Sequence, residues 1–321
     1  KATTTHWEAL GLKVKISFQR FEEAYPRILT HDFGHAACMI WAPKDERLDP
    51  GVFLKEFYHS SRARKGFWNY GQFQDKIIDE QIDAQERQMD HARRVEMIIE
   101  LQESLAREHA ICPLMHPPVW QAFNVRDWAG YVPCTGKGYT HLWTYLQLTS
   151  HTGQNVFRLV RERLLTDLNP LAAGIHGDDS FHRLVYDTFA RWGPDGKVVP
   201  WAAREWKVAG DDMVEIYLRP GMRFHDGRAV SADDALFSLE LAKNGYMSHP
   251  SCSGEIDRVD ITGEHTVRVR LRRPCALFLT VGLCSIILLP RHIWKEHKKP
   301  LQWQNTEMIG SGPFRLKSGE P

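Results

Sequence analysis

His225 and Asp226 are adjacent, and an imidazole beside a carboxylate is the raw material of general acid–base chemistry. They stand in the run Gly221-Met222-Arg223-Phe224-His225-Asp226-Gly227-Arg228-Ala229-Val230-Ser231-Ala232-Asp233-Asp234. No nucleophile or third member accompanies them, so a turn is the better reading than an active site. His31 and His35 are four apart with Asp32 between them, a spacing that could share a metal on a helix. Gly34 and the strand-like pattern after it argue against that helix, which leaves polar loop or core histidines. Asp32-Phe33-Gly34 copies a kinase tripeptide, but neither a Gly-rich loop nor a catalytic loop accompanies it. Gly136-Lys137-Gly138 lacks the upstream glycine and the following Ser or Thr of a P-loop. HExxH and G-x-S-x-G are both absent. Cys38, Cys112, Cys134, Cys252, Cys275 and Cys284 are scattered without a C-x-x-C pair, so no zinc site is expected. Isolated buried thiols are the reading for most of them, although an even count permits disulfides in an oxidising compartment. The remaining candidate is the polar loop from Trp41 to Pro50, which carries Lys44, Asp45 and Asp49. Its plainer reading is that Asp45 and Asp49 cap the helix that follows. Catalysis, cofactors and metals are not expected.

The elements that hold these residues follow from periodicity. Val214, Ile216 and Leu218 alternate with Glu215, Tyr217 and Arg219, the pattern of a half-buried strand. Pro220-Gly221 ends it and Asp226-Gly227 supplies a second turn. Ser231 and Asp234 form a capping-box pattern, and Ala232, Ala235, Leu236, Leu239 and Ala242 follow at helical spacing. Val267, Val269 and Leu271 alternate with Arg268, Arg270 and Arg272, a strand whose basic face is read as solvated. Nearer the start, residues 12–18 alternate and predict a strand, and 35–41 predict a second. Helices are expected at 21–29, after Pro50, around Ile77, Ile78 and Ile82, and from an Asp90 cap to Glu108. Val95, Ile98, Ile99, Leu105 and Ala106 are the expected apolar face of the last. Residues 110–114 and 119–123 predict short edge strands, because Pro113, Pro117 and Pro118 limit their pairing. Residues 129–155 are rich in Gly, Pro, Ser and Thr and read as a linker or return strand, with Leu142, Trp143, Tyr145 and Leu146 as a docking strand.

The run from Gly221 to Asp234 resembles the signature of the family 5 extracytoplasmic solute-binding proteins, which serve ABC importers of peptides, nickel chelates and similar solutes. Leu168-Asn169-Pro170, Leu184-Val185-Tyr186-Asp187, Val199-Pro200-Trp201 and Ile309-Gly310-Ser311-Gly312-Pro313-Phe314 resemble further stretches of the N-terminal part of that family. Gly11-Leu12-Lys13-Val14, Trp41…Asp49-Pro50, Asn69-Tyr70, Asp79 and Arg94 resemble its C-terminal part, in the family's order. The two parts are therefore exchanged. A circular permutation, a fusion, or a piece spanning the join of two tandem copies each explain that order. No apolar signal segment lies between residues 143 and 165, which disfavours two separately exported proteins.

The resemblance implies an α/β, two-lobed fold of the class II periplasmic type, permuted or partial, with one lobe incomplete. Residues 1–128 would be the C-terminal-type lobe segment, 129–155 the link, and 156–321 the N-terminal-type lobe. It implies a peptide or similar small polar solute held between lobes, an ABC permease as membrane partner, an extracytoplasmic location and no enzymatic reaction. A solute-sensing module of the same fold in a regulator is the alternative. In peptide-binding relatives an Asp shortly after the matching Trp receives the ligand's α-amino group. By that alignment Trp41, Lys44 and Asp45 are the ligand-binding candidates, with Asp45 on the ammonium, Trp41 as an apolar wall, and Lys44 as an intruding charge. The balance of the whole chain adds an exclusion. Its 41 Lys and Arg against 40 Asp and Glu lack the basic excess of a general nucleic-acid binder. No run of eighteen apolar residues suits a membrane span.

Overall fold

A computed structural model describes residues 2–34, 36–37, 45–114, 116, 118, 120–160, 167–172, 181–246 and 250–317. Helices α1 (Ala2–Ala9) and α2 (Phe21–Leu29) precede α3 (Pro50–Tyr58), α4 (Lys76–Arg87) and α5 (His91–Glu108). A two-strand ladder, β1 (Trp128–Ala129) with β2 (Thr149–Ser150), brackets α6 (Leu142–Gln147). Helix α7 (His182–Val185) leads to the hairpin of β3 (Ala190–Trp192) and β4 (Val198–Pro200). The main sheet contains β5 (Ala203–Val208), β6 (Met213–Leu218), β7 (Ile256–Gly263) and β8 (Thr266–Leu271), in the order β5-β6-β8-β7 and antiparallel throughout. Helix α8 (Ala232–Lys243) connects β6 to β7 and packs across β7 and β8. The fold is mixed α/β.

Alternation explains the sheet. Val214, Ile216, Leu218, Val267, Val269 and Leu271 point inward and are buried. Glu215 and Arg268 face outward and pair at 2.6 Å, so the basic stripe is a solvated face with its own counter-charge. Ala232, Ala235 and Ala242 are buried under α8, where their small side chains let the helix backbone approach the strands. The edges β5 and β7 carry register shifts and charged residues, both of which discourage pairing with another chain.

The helical expectations at 21–29, after Pro50, around Ile77, Ile78 and Ile82, and from Asp90 to Glu108 agree with α2 to α5. Asp75 caps α4 by accepting from the Ile77 and Ile78 N–H groups at 2.8 and 2.9 Å, and Asp90 caps α5 by accepting from Arg93 N–H at 2.8 Å. Other expectations fail. Residues 12–18 form no strand: Leu12, Ile16 and Phe18 are exposed, and alternation alone gives no ladder without a neighbour. The described residues of 110–114 and 119–123 likewise form no strand, and most of the 35–41 strand lies outside the described residues. Leu142 to Leu146 lie on α6 instead of a strand, with the His141 ring accepting from Trp143 N–H at 3.2 Å. The buried face of α5 is Arg94, Ile98, Leu101 and Leu105, while Val95, Ile99 and Ala106 are exposed.

Candidate functional site

The loop expected to meet a ligand leads into α3. Asp45 opens a 3-10 turn over Asp45–Leu48, whereas Trp41 and Lys44 lie outside the described residues. The structure therefore places the backbone of Asp45 four residues before a second carboxylate, Asp49, whose commitments are complete. Asp49 caps α3 by accepting from Gly51 N–H at 2.8 Å. Arg94 grips it with two bonds, Nη1 to Oδ2 at 2.8 Å and Nη2 to Oδ1 at 2.7 Å. Thr280 Oγ1 donates to Oδ2 at 2.6 Å. Burial pushes the Asp49 carboxyl up, but Arg94, Thr280 and Gly51 outweigh it and hold the group below its ordinary range. Asp49 thus does capping work, as its helix-cap reading anticipated, and ties α3 and α5 to the segment Phe278–Gly282.

This role of Arg94 has a sequence signal that periodicity alone passes over. Arg94 shares one helical face with Ile98, Leu101 and Leu105. A guanidinium on a buried stripe demands a buried carboxylate partner. Nearby, Lys55 Nζ lies 2.5 Å from Glu86 and 3.5 Å from Asp83. Burial pushes the Glu86 carboxyl above its ordinary range, with Lys55 pulling the other way.

His225 and Asp226 are held apart by different partners. Gly310 N–H donates to His225 Nδ1 at 3.3 Å, so Nε2 carries the proton and donates to Gly312 O at 2.9 Å. The His225 backbone N–H donates to Gly310 O at 2.8 Å. Asp226 instead accepts from Arg228 N–H at 3.0 Å and meets His292 Nε2 at 2.7 Å. Desolvation pushes the Asp226 carboxyl up, and these two partners together bring it below its usual range. Each ring nitrogen of His225 already serves a loop, so the pair is a fastening rather than an acid–base couple.

The fastening is broader than the turn. Gly312 and Phe314 N–H groups donate to Val185 O and Leu184 O at 2.8 and 3.0 Å. A Cβ at Gly310 would stand 2.1 Å from Val185 O, so only glycine permits this approach. Ser231 N–H and Oγ donate to Asp234 Oδ2 at 2.9 and 2.8 Å, and Arg291 N–H donates to Asp234 Oδ1 at 2.9 Å. The capping aspartate therefore also fixes the start of a later helical turn, Arg291–Trp294. Asn169 Nδ2 donates to Pro300 O at 2.6 Å, and Asn305 Nδ2 donates to Leu168 O and Tyr186 Oη at 3.0 and 2.7 Å. Tyr186 follows the last residue of α7 rather than lying within it. Trp201 Nε1 donates to Asp187 at 2.5 Å, Arg191 lies 4.7 Å over the Trp201 ring, and Trp143 of α6 abuts that ring edge-on at 5.5 Å. The segments separated in sequence thus converge on shared backbone and side-chain partners. Among the described residues, no three His, Cys, Asp or Glu side chains gather as a metal site.

Residues 197–321 match the family model of bacterial extracellular solute-binding proteins, family 5 Middle. A protein named as a binding protein in Brucella melitensis biotype 1 is 26% identical over 166 residues, covering 49% of this chain and 26% of its own length. A protein named as an ABC transporter peptide-binding protein in Brucella ovis is 27% identical over 120 residues, covering 36% of this chain and 23% of its own. Among solved structures, the periplasmic oligopeptide-binding protein of Thermotoga maritima is 26% identical with a TM-score of 0.43, covering 48% of this chain and 29% of that one. NikZ of Campylobacter jejuni in complex with Ni(L-His) is 28% identical with a TM-score of 0.43, covering 50% and 32%. The chain spans about a quarter of the curated relatives' length.

Proposed function

We propose that this chain is a solute-binding component of an ABC importer, taking up a peptide or similar small polar solute between two lobes outside the cytoplasm. The observation that carries the reading is the family match over residues 197–321. The ordered motifs of the first third support its assignment to the family's C-terminal part, with the two parts exchanged. Trp41, Lys44 and Asp45 are the proposed ligand contacts. A desolvated carboxylate facing an ammonium is a strong, directional partner, and Asp49 is excluded from that role by its three partners. The work is capture and delivery, with no bond made or broken. No helix among the described residues is long and apolar enough to cross a membrane.

Isothermal titration with a defined tripeptide mixture tests the reading. Binding that weakens at least tenfold in Asp45→Ala, with an unchanged melting temperature, is the expected result. Unchanged affinity in that variant rejects the site, and a folded protein that binds no member of the mixture rejects peptide capture.

A further inference from the structure

Strands β7 and β8 run antiparallel, and Ile256 faces Leu271 at the end of their ladder. The pairing continues one step further, with Arg272 N–H donating to Glu255 O at 2.8 Å. Beyond that bond the Arg273 and Glu255 side chains pair at 2.7 Å, so the two chain segments stay side by side. Beyond the paired segment the chain turns, so that Cys252 lies in the helical turn Pro250–Ser253 on one side and Cys275 follows Arg273 on the other. The Pro250–Ser253 turn that holds Cys252 packs on the Phe278–Gly282 helical turn. Cys275 leads into that same turn, its carbonyl accepting from Phe278 N–H at 3.0 Å. Both cysteines are buried in the main core, at 1% and 4% exposure, and both are thiols here.

We infer that Cys252 and Cys275 are a disulfide-forming pair that staples the open end of the β7–β8 hairpin to the helical turn beside it. Burial pushes the Cys275 thiol up to about 11 and Cys252 higher still, and a charge on Cys275 adds to the rise at Cys252. Protonated thiols are poor nucleophiles, so the bond forms while the chain folds and the pair is still wet. The oxidant is a small disulfide of the glutathione type. One cysteine thiolate attacks a donor sulfur, which releases a donor thiolate and leaves a mixed disulfide. The second cysteine thiolate attacks the protein sulfur of that mixed disulfide and releases the second donor thiolate. Two protons and two electrons leave the protein, and the donor disulfide is reduced to two thiols. Pairing of the two thiols is independent of the transport role, because it needs only the chain and a redox buffer.

The test is refolding of the reduced, denatured full chain in reduced and oxidised glutathione, followed by alkylation, digestion and mass mapping. The expected product is a peptide linked through Cys252 and Cys275, with two fewer alkylated thiols per chain. Its melting temperature should exceed that of the reduced protein by on the order of 5–10 °C. Cys284→Ser should keep the link, and Cys252→Ser should abolish it. Full alkylation of Cys252 and Cys275 in refolded protein with native circular dichroism overturns the inference, as does a link through Cys284. Should refolding yield be low, the same mapping on protein purified from an oxidising compartment separates the linked from the fully alkylated outcome in the same way.

Discussion

The first third and the second half of the chain are stabilised by different means. The described residues of 167–317 close a continuous apolar core under the main sheet, and several of their buried polar side chains bond backbone groups of distant segments. The α3–α5 unit has a core of only six buried side chains, Leu54, Ile78, Ile82, Ile98, Leu101 and Leu105. Its remaining interior is polar and largely ionic: Asp49 with Arg94, Lys55 with Glu86, and the buried amides of Gln85 and Asn69. Val52 joins the larger core, and the Asp49–Thr280 bond lies at the same junction, so the smaller unit leans on the larger. A core made of charges holds only while every charge keeps its partner. An apolar core degrades more gradually, one contact at a time.

Arg94→Ala is the sharpest way to break that contrast. It strands Asp49 at 2% exposure without its bidentate partner, and the expected cost is about 3–5 kcal/mol by urea denaturation. The loss should concentrate in α3–α5, so hydrogen exchange should open Val52 and Leu54 amides before those of β6. Equal loss of protection in both regions would show that they unfold as one unit and that the contrast is only local. Gly310→Ala is the corresponding attack on the second half. Its new Cβ would stand 2.1 Å from Val185 O, and relief requires the loop to leave His225. About 1–3 kcal/mol is expected, with the His225 ring resonances displaced in the proton NMR spectrum. An unchanged stability would mean that the knot yields easily.

Acid acts on the two carboxylates of the smaller unit in opposite directions. Asp49 is held below its ordinary range, so its contribution is present above about pH 4 and is lost as pH falls through the lowered folded value. Glu86 is raised, so between its ordinary and its raised value the unfolded chain releases the proton first, and stability falls as pH rises there. Glu86→Gln should therefore gain on the wild type as pH rises through and above the ordinary glutamate range of about 4. A stability difference that stays flat over that range would place Glu86 in its ordinary range.

The sequence is most informative where one residue settles its own surroundings. Asp90 before an apolar-periodic run, Ser231 three before Asp234, and Val267-Arg268-Val269 each decide a local structure, and each agrees with it. Strand pairing is a different kind of property. Leu12 to Phe18 alternate as well as any strand here, but no sequence pattern says whether a partner stands beside them. The candidate site is legible only in part for the same reason. Asp49 and Arg94 are 45 residues apart, and Thr280 is 231 from Asp49, so their meeting is a fact of tertiary packing. His225 and Asp226 read as a turn from local chemistry alone, and the turn is there, but its grip on Gly310 and Gly312 exists only once the chain has folded.

The smallest expected effect discriminates between two orientations of α5. Periodicity favours a face containing Val95 and Ile99, whereas the structure turns the helix so that Leu101 and Arg94 go inward. Ile99 is 53% exposed and Leu101 is 1% exposed. Ile99→Gln should then change stability by no more than about 0.5 kcal/mol, while Leu101→Ala costs about 2–5 kcal/mol. The rotation has a physical cause: Arg94 must reach Asp49, and a guanidinium bound at both ends fixes the azimuth of the helix more firmly than Val95 or Ile99 could. If Ile99→Gln instead costs as much as Leu101→Ala, a further surface covers Ile99 in solution and the smaller unit is less dependent on its ionic core than its six apolar residues imply.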